Sequence, residues 1–167
     1  MKTLLVVSDS HENVSRMYYA AEKTKPDVII HLGDHISDAY DLQRQYPEPV
    51  YYMVKGNCDD YPSEESEMLL DIDGISIFIT HGHRYKVKNG LSLLRYGALE
   101  KGAILALYGH THQALIEETH DLWLMNPGQT EKHNNKESAS FGIVTIDDGT
   151  FACNIEYLPT QFTNNSK

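Results

Sequence analysis

Five short segments carry side chains of the kinds that bind metal ions: Asp9-Ser10-His11, Gly33-Asp34, Gly56-Asn57, His81-Gly82-His83 and Gly109-His110-Thr111-His112. From Asp9, the successive steps to Asp34, Asn57, His81 and His110 are 25, 23, 24 and 29 residues. A βαβ unit takes roughly thirty residues, so each step is about one strand and its return element. The spacing therefore predicts that each segment ends a successive strand, with all of them at one edge of a sheet. Oxygen and nitrogen donors converging there, with no thiolate among them, suit one or two divalent cations. Each segment alone says little, since a lone Asp after a strand is usually a turn residue and a lone His is usually structural.

The hydropathy pattern supplies the elements that must position these groups. Residues 4–7, 28–32 and 50–54 are short apolar runs, as in buried strands, and they deliver Asp9, Asp34 and Asn57. Asn13 is the expected N-cap of a helix whose apolar face is Val14, Met17, Tyr18 and Ala21, and Pro26 ends it. A shorter helix is expected over 38–45. Residues 68–72 and 75–80 flank Asp73-Gly74 as a hairpin, and its second strand delivers His81. Leu91, Leu94, Ala98 and Leu99 mark a third helix with Gly102 past its end, and a strand over 103–108 delivers His110. The remainder reads as β structure over 116–119, 123–126, 141–147 and 151–158, followed by a polar, frayed tail over 163–167. A βαβα first half and a strand-rich second half predict a mixed β core covered by helices.

A chain of 167 residues has the size of one domain, taken here as 1–167. Fourteen basic against twenty-four acidic residues give a net charge of −10, which argues against stable binding to a nucleic-acid backbone. Two bound divalent ions would still attract a phosphate locally, because they dominate the field at such a point. No apolar run reaches the roughly 18 residues of a membrane span, and the N-terminus has no signal-peptide pattern, so a cytoplasmic protein without membrane contact is expected. Cys58 and Cys153 make no zinc pattern and imply no disulfide.

Taken together, D-x-H, G-D, G-N, H-G-H and G-H-x-H in this order and spacing resemble the signature of the calcineurin-like metallophosphoesterases. Gly56-Asn57-Cys58-Asp59 and Asn126-Pro127-Gly128 make the chain look most like the small YfcE-type phosphodiesterases within them. The resemblance covers Asp9 to Gly128. It implies a four-layer αββα sandwich, two mixed β-sheets flanked by helices. It also implies that Asp9, His11, Asp34 and His112 hold one metal, and that Asp34, Asn57, His81 and His110 hold a second. The activity implied is hydrolysis of a small phosphodiester by in-line attack of a metal-bridging hydroxide, with Asp34, Asn57 and His81 acting through that hydroxide. Mn2+ is the first expectation for the ion, and Ni2+, Zn2+, Fe2+ and Co2+ suit the same donors. Asn13, His83 and Arg84 are the expected substrate contacts.

Two departures from the family pattern bear on the chemistry. Many larger relatives carry a His after the Gly-Asn, where this chain has Cys58, expected to be a small packed residue near the site. Glu12 stands where relatives often have Gly, and is expected in the first turn of the helix. Asp59 is either an acceptor behind a ligand His or a turn residue, and His31 and His35 are explained by packing alone. Two other functions stay open: a phosphomonoesterase, and a non-enzymatic protein-binding scaffold of the same fold, like the retromer subunit. The complete D-x-H at Asp9 to His11 argues against the scaffold. Exposed β edges in the second half leave homo-oligomer formation open.

Overall fold

The computed structural model describes residues 1–131 and 138–159. The tail 163–167 lies outside the described residues. Ten strands form two five-stranded sheets. The first contains β1 (Lys2–Val7), β2 (Val28–His31), β3 (Val50–Met53), β9 (Ser140–Asp147) and β10 (Thr150–Tyr157), in the order β10-β9-β1-β2-β3. The second contains β4 (Glu67–Ile72), β5 (Ile75–Thr80), β6 (Leu105–Leu107), β7 (Ala114–Glu118) and β8 (Trp123–Pro127), in the order β4-β5-β6-β8-β7. Both are mixed: β1, β2 and β3 run parallel, as do β5, β6 and β8, and antiparallel strands flank each parallel set.

Alternation along each strand sorts the side chains into layers, because successive residues point to opposite faces. Leu4, Val6, Val28 and Ile30 of the first sheet meet Ile77, Ile79, Leu105, Leu107 and Met125 of the second in one buried core. The other face of the first sheet, with Leu5, Val7 and Ile29, packs under α1 (Val14–Thr24) and α2 (Ile36–Gln45) through Met17, Ala20, Ala21 and Leu42. The outer face of the second sheet, with Phe78, Ala106 and Leu124, is covered by Leu94 and Ala98 of α3 (Ser92–Glu100) and by Val87. Helix, sheet, sheet and helix thus form the expected four layers, each fully buried Val, Leu, Ile, Phe or Met side chain contributing about 1.5–3 kcal/mol.

Local expectations hold with shifts at the ends. Asp73 and Gly74 have φ of 51° and 82°, and Asp148 and Gly149 have 47° and 72°, the left-handed pair that a type I′ hairpin turn requires. The α1 stripe is rotated from the expected one. Met17, Ala20 and Ala21 are buried, whereas Tyr18 is 37% exposed and lies edge-on to Tyr46 at the border of the core. Leu99 of α3 is likewise 39% exposed. The strand expected over 103–108 pairs only over Leu105–Leu107, because Ala103 turns back to the helix through a hydrogen bond to the Ala98 carbonyl.

Parallel register places the site. Val7, His31 and Met53 lie side by side at the ends of β1, β2 and β3, and Ile79, Leu107 and Met125 do so in β5, β6 and β8. The residues that follow emerge at one rim of the sandwich. Among the described residues, no helix is long and apolar enough to cross a membrane. Truncating the core should tell the layers apart: Ile30→Ala, between the sheets, should cost about 2–5 kcal/mol in urea unfolding. Leu69→Ala, half-exposed on edge strand β4, should stay within about 0.5 kcal/mol.

Candidate metal centre

Two groups of three side chains converge at that rim. Asp9, His11 and His112 place one donor atom each within 4.8 Å of one another, and Asp34, His81 and His110 do the same. Asp9, Asp34 and His81 are buried, and His11, His110 and His112 are half-exposed. The rings of His81 and His110 are 5.0 Å apart, and those of His11 and His112 are 5.5 Å apart. Asn57 follows β3 at the same rim, exposed, with its amide nitrogen 3.5 Å from the Cys58 sulfur.

Each carboxylate is held by one oxygen and offers the other. Asp9 Oδ2 accepts from the Ser8 hydroxyl at 2.6 Å and the His110 N–H at 3.2 Å, while Oδ1 faces His112 Nε2 at 3.0 Å. Asp34 Oδ1 accepts from the Cys58 N–H at 2.9 Å, while Oδ2 faces His81 Nε2 at 3.4 Å. His81 Nδ1 lies 2.7 Å from the Leu32 carbonyl, so it carries the ring proton and donates it there. In the neutral ring, Nε2 is then a bare acceptor aimed at a carboxylate oxygen, and it makes no hydrogen bond. Two buried acceptors facing each other need a cation between them. That geometry fits a metal ion, with the Leu32 carbonyl setting the tautomer from behind.

Without an ion, the same surroundings favour a proton there. Burial alone would lower the His81 imidazole, but Asp34 and Asp9 outweigh it and raise its pKa. Burial would likewise raise both carboxylates, yet His112 and His81 hold Asp9 below the usual range, and His81 and the Cys58 amide hold Asp34 well below it. His112 is raised by its contact with Asp9. His110 is pushed down to about 4 by burial and by the neighbouring His81.

The turns that aim these groups use unusual backbone. Asp9, His11, Asp34, His110 and His112 all have φ between 46° and 67°, a left-handed region that L-residues seldom occupy. Gly33 and Gly56 touch through their backbones: a Cβ on Gly33 would stand 2.6 Å from the Gly56 nitrogen, and one on Gly56 would stand 2.1 Å from Asp34 Oδ1. Only glycine admits that approach.

Behind these ligands, other side chains hold the turns in ways that the motifs do not show. Asp59 Oδ2 accepts from the Asp34 N–H at 2.9 Å and the Gly56 N–H at 2.8 Å, while Oδ1 accepts from the Ile36 N–H at 2.9 Å. It therefore ties the β2 and β3 turns together and caps α2, rather than serving a ligand His. His31, fully buried, accepts from the Gly33 N–H at Nδ1, so its Nε2 donates to the Ser10 hydroxyl at 3.0 Å. Ser10 in turn donates to Asp38 Oδ2 at 2.7 Å, which also accepts the Glu12 N–H. This chain of bonds joins the first two ligand turns. Packing alone does not explain His31. Asn126 pins the turn that carries His110 and His112, donating to the Gly109 carbonyl and to the Thr111 hydroxyl at 3.0 Å each.

Other expected residues lie elsewhere than their motifs suggest. Glu12 precedes α1 at φ 66° and is exposed, so it is not a first-turn carboxylate; the left-handed turn is where glycine would fit. Asn13 sits at the N-cap position, but its side chain donates to Glu131 instead of capping. Cys58 is exposed rather than packed, and its main-chain N–H donates to Asp34. His83 lines the centre, its ring 5.4 Å from His81 and 6.1 Å from His110. Arg84 donates to the Ser66 hydroxyl at 2.7 Å. His35, left aside in the sequence, has its ring 4.8 Å from that of His11.

A model of the calcineurin-like phosphoesterase superfamily domain matches residues 1–149. The probable metallophosphoesterase YsnB of Bacillus subtilis is 32% identical over 149 residues, which cover 87% of this chain and 85% of that protein. The phosphodiesterase YfcE of Escherichia coli K12 is 30% identical over 105 residues, 56% of this chain and 52% of that one. The crystal structure of a conserved Streptococcus pneumoniae protein described as a predicted phosphoesterase matches with TM-score 0.74 and 25% identity, covering 95% of this chain and 94% of that one. Zinc-bound Vps29 of Entamoeba histolytica also matches with TM-score 0.74, over 93% of this chain and 98% of that one; at 18% identity this likeness concerns the fold alone.

Two measurements test the support. Asp59→Ala should weaken metal binding by about 10–100-fold in a calorimetric titration, as loss of an outer partner does; unchanged affinity would show the clamp to be idle. Burial holds His31 down to about 4 from 6.5 in the folded chain. The unfolded chain therefore binds the extra proton between those values, and stability falls as pH falls through that window. His81 and His112, with raised pKa, contribute in the opposite sense and lose their contribution as pH rises, so the His31 part is read as a difference. Between pH 6.5 and 4 the metal-stripped wild type should lose on the order of 3 kcal/mol more than His31→Gln. Parallel pH curves would contradict the neutral buried ring.

Proposed function

The chain belongs to the calcineurin-like phosphoesterase superfamily, a hydrolytic family that uses divalent metals, and from that premise we propose that it is a two-metal phosphodiesterase acting on a small phosphodiester. Asp9, His11, Asp34 and His112 hold one ion, and Asp34, Asn57, His81 and His110 hold the other, with Asp34 shared. The observation that carries this reading is the pair of facing acceptors, His81 Nε2 and Asp34 Oδ2, each fixed from behind by a main-chain group. When bound, two ions supply an activated water for in-line attack on phosphorus and positive charge opposite the phosphoryl oxygens.

The protein's own part is to orient and to limit charge. Asp34 is positioned by the Cys58 and Asp59 contacts before any ion arrives, so little reorganisation accompanies binding. Neutral imidazoles and the Asn57 amide complete the donor sets without building up negative charge that would repel a phosphate. His83, beside His81 and His110, meets a substrate oxygen at the lip of the centre. Asn13 and Arg84, tied to Glu131 and Ser66, would have to exchange those partners to reach the substrate. Manganese is the first candidate ion, ahead of nickel, zinc, iron and cobalt, and a cytoplasmic setting belongs to the same reading. The likeness to YfcE, named a phosphodiesterase, supports diester over monoester hydrolysis.

Asp34→Asn should lower the metal content of purified protein and reduce diester turnover by more than about a hundredfold, beyond the loss of an outer partner. The assay is hydrolysis of a chromogenic diester beside its monoester, on metal-stripped protein titrated with manganese, nickel and zinc. Near-normal turnover by Asp34→Asn would end the two-metal reading. Faster hydrolysis of the monoester would replace it with a phosphomonoesterase. No turnover with two ions bound per chain would favour the scaffold.

A further inference from the structure

The outer face of the second sheet carries a cleft that neither ligand group uses. β5 ends at the rim, and α3 then runs back along that face toward the start of β6, parallel to β5. Between the start of α3 and edge strand β7 lies an open cleft of about 180 Å³. Val87 and Leu91 form one wall, Thr111, Gln113 and Leu115 form the other, and the buried Tyr108 forms the floor. None of the residues lining it is charged.

Both walls grow out of ligand turns. A Cβ on Gly82, between His81 and His83, would stand 3.0 Å from a Val87 methyl and 3.7 Å from Tyr108 Cβ. The Val87 N–H also donates to the Gly82 carbonyl at 3.4 Å. On the other side, Thr111 lies between His110 and His112, and Gln113 follows His112 directly. One helical turn farther from the rim, Arg95 of α3 donates to Glu117 of β7 at 2.7 Å. That ion pair bridges helix and strand at the far end, so the cleft's other end meets the ligand turns. Leu115 remains 40% exposed in it.

We propose that this cleft binds an uncharged aromatic ring on one organic substituent of the substrate, so that the protein selects phosphodiesters that carry such a ring. This rests on the phosphodiesterase reading. A diester held at the ions by its phosphoryl oxygens still has two organic substituents to place, and the cleft adjoins the turns that hold those ions. Its size fits the class, since an apolar cavity of about 150 Å³ takes a benzene ring. The aliphatic walls and the Tyr108 ring favour a flat apolar group. A charged substituent would lose water there and gain no partner of opposite charge. The Thr111 hydroxyl already accepts from the Asn126 amide and the Gln113 N–H. The exposed Gln113 side chain is then the amide offered to a ring heteroatom at the mouth.

The test separates the ring from the phosphorus. Methylphosphonate, benzylphosphonate and phenylpropylphosphonate, whose P–C bonds resist hydrolysis, are titrated by calorimetry into the manganese-loaded protein. A single methylene in an apolar pocket is worth about tenfold or more. At least one of the two ring compounds should therefore bind about tenfold or more tightly than methylphosphonate. Leu115→Ser should lose most of that preference, and Leu91→Ser should do the same from the opposite wall. Leu69→Ser, an equivalent change on the exposed edge strand β4 of the same sheet, should keep it. Equal affinity for all three compounds in the wild type overturns the assignment, as does a preference that survives in both Leu115→Ser and Leu91→Ser. Hydrolysis of bis(p-nitrophenyl) phosphate is followed in the same preparations. Turnover without a ring preference would keep the phosphodiesterase reading and sink the cleft. A ring preference without turnover would sink that reading and leave the cleft a site for aromatic rings.

Discussion

Left-handed backbone at the ends of strands is the constraint on which this structure depends. Asp9, His11, Asp34, His110 and His112 all adopt it, and none is a glycine. Such residues cost about 1–3 kcal/mol each and persist only where their surroundings hold them. The advantage is directional. A strand that simply ran on would send successive side chains to opposite faces, whereas a left-handed residue just past its end turns the chain sharply and leaves the donor at the rim.

Much of the polar interior exists to hold those turns. Asp59 fastens Asp34 and Gly56, Asp9 receives the His110 N–H, and Asp38 receives the Glu12 N–H while Ser10 and His31 join it to the next turn. Apart from the neutral bond between His31 and Ser10, these are hydrogen bonds to charged acceptors, about twice as strong as neutral ones, at buried and part-buried positions. The two sheets supply the frame. Their parallel strands end in register, so a displacement of one turn would strain its neighbours as well.

The same frame serves proteins of different kinds, as the shared fold of a predicted bacterial phosphoesterase and of Vps29 illustrates. Function therefore has to be argued from the groups at the rim. Here the argument is electrostatic. Carboxylates and imidazoles are aimed at one another with their outer atoms already satisfied, which leaves inner atoms that only cations or protons can reconcile. An acidic chain of net charge −10 thereby presents a locally positive place to a phosphate once ions are bound.

The sequence by itself determined which donors exist, their order, and that each follows a strand. That information is local: short continuous apolar runs and turn pairs such as Asp73-Gly74 are written in adjacent residues. The type of fold was legible for the same reason. Tertiary structure decided which neighbours support the donors. Asp59 serving the turn of Asp34, His31 reaching Ser10 and Ser10 reaching Asp38 join residues 25, 21 and 28 positions apart, and each bond depends on how β1, β2 and β3 pair. The exposure of Cys58 and the diversion of Asn13 to Glu131 were likewise unreadable, because side-chain direction in a turn follows φ and ψ rather than residue type. Composition names the atoms available to a site, but only the paired strands and the strained turns between them fix where those atoms point.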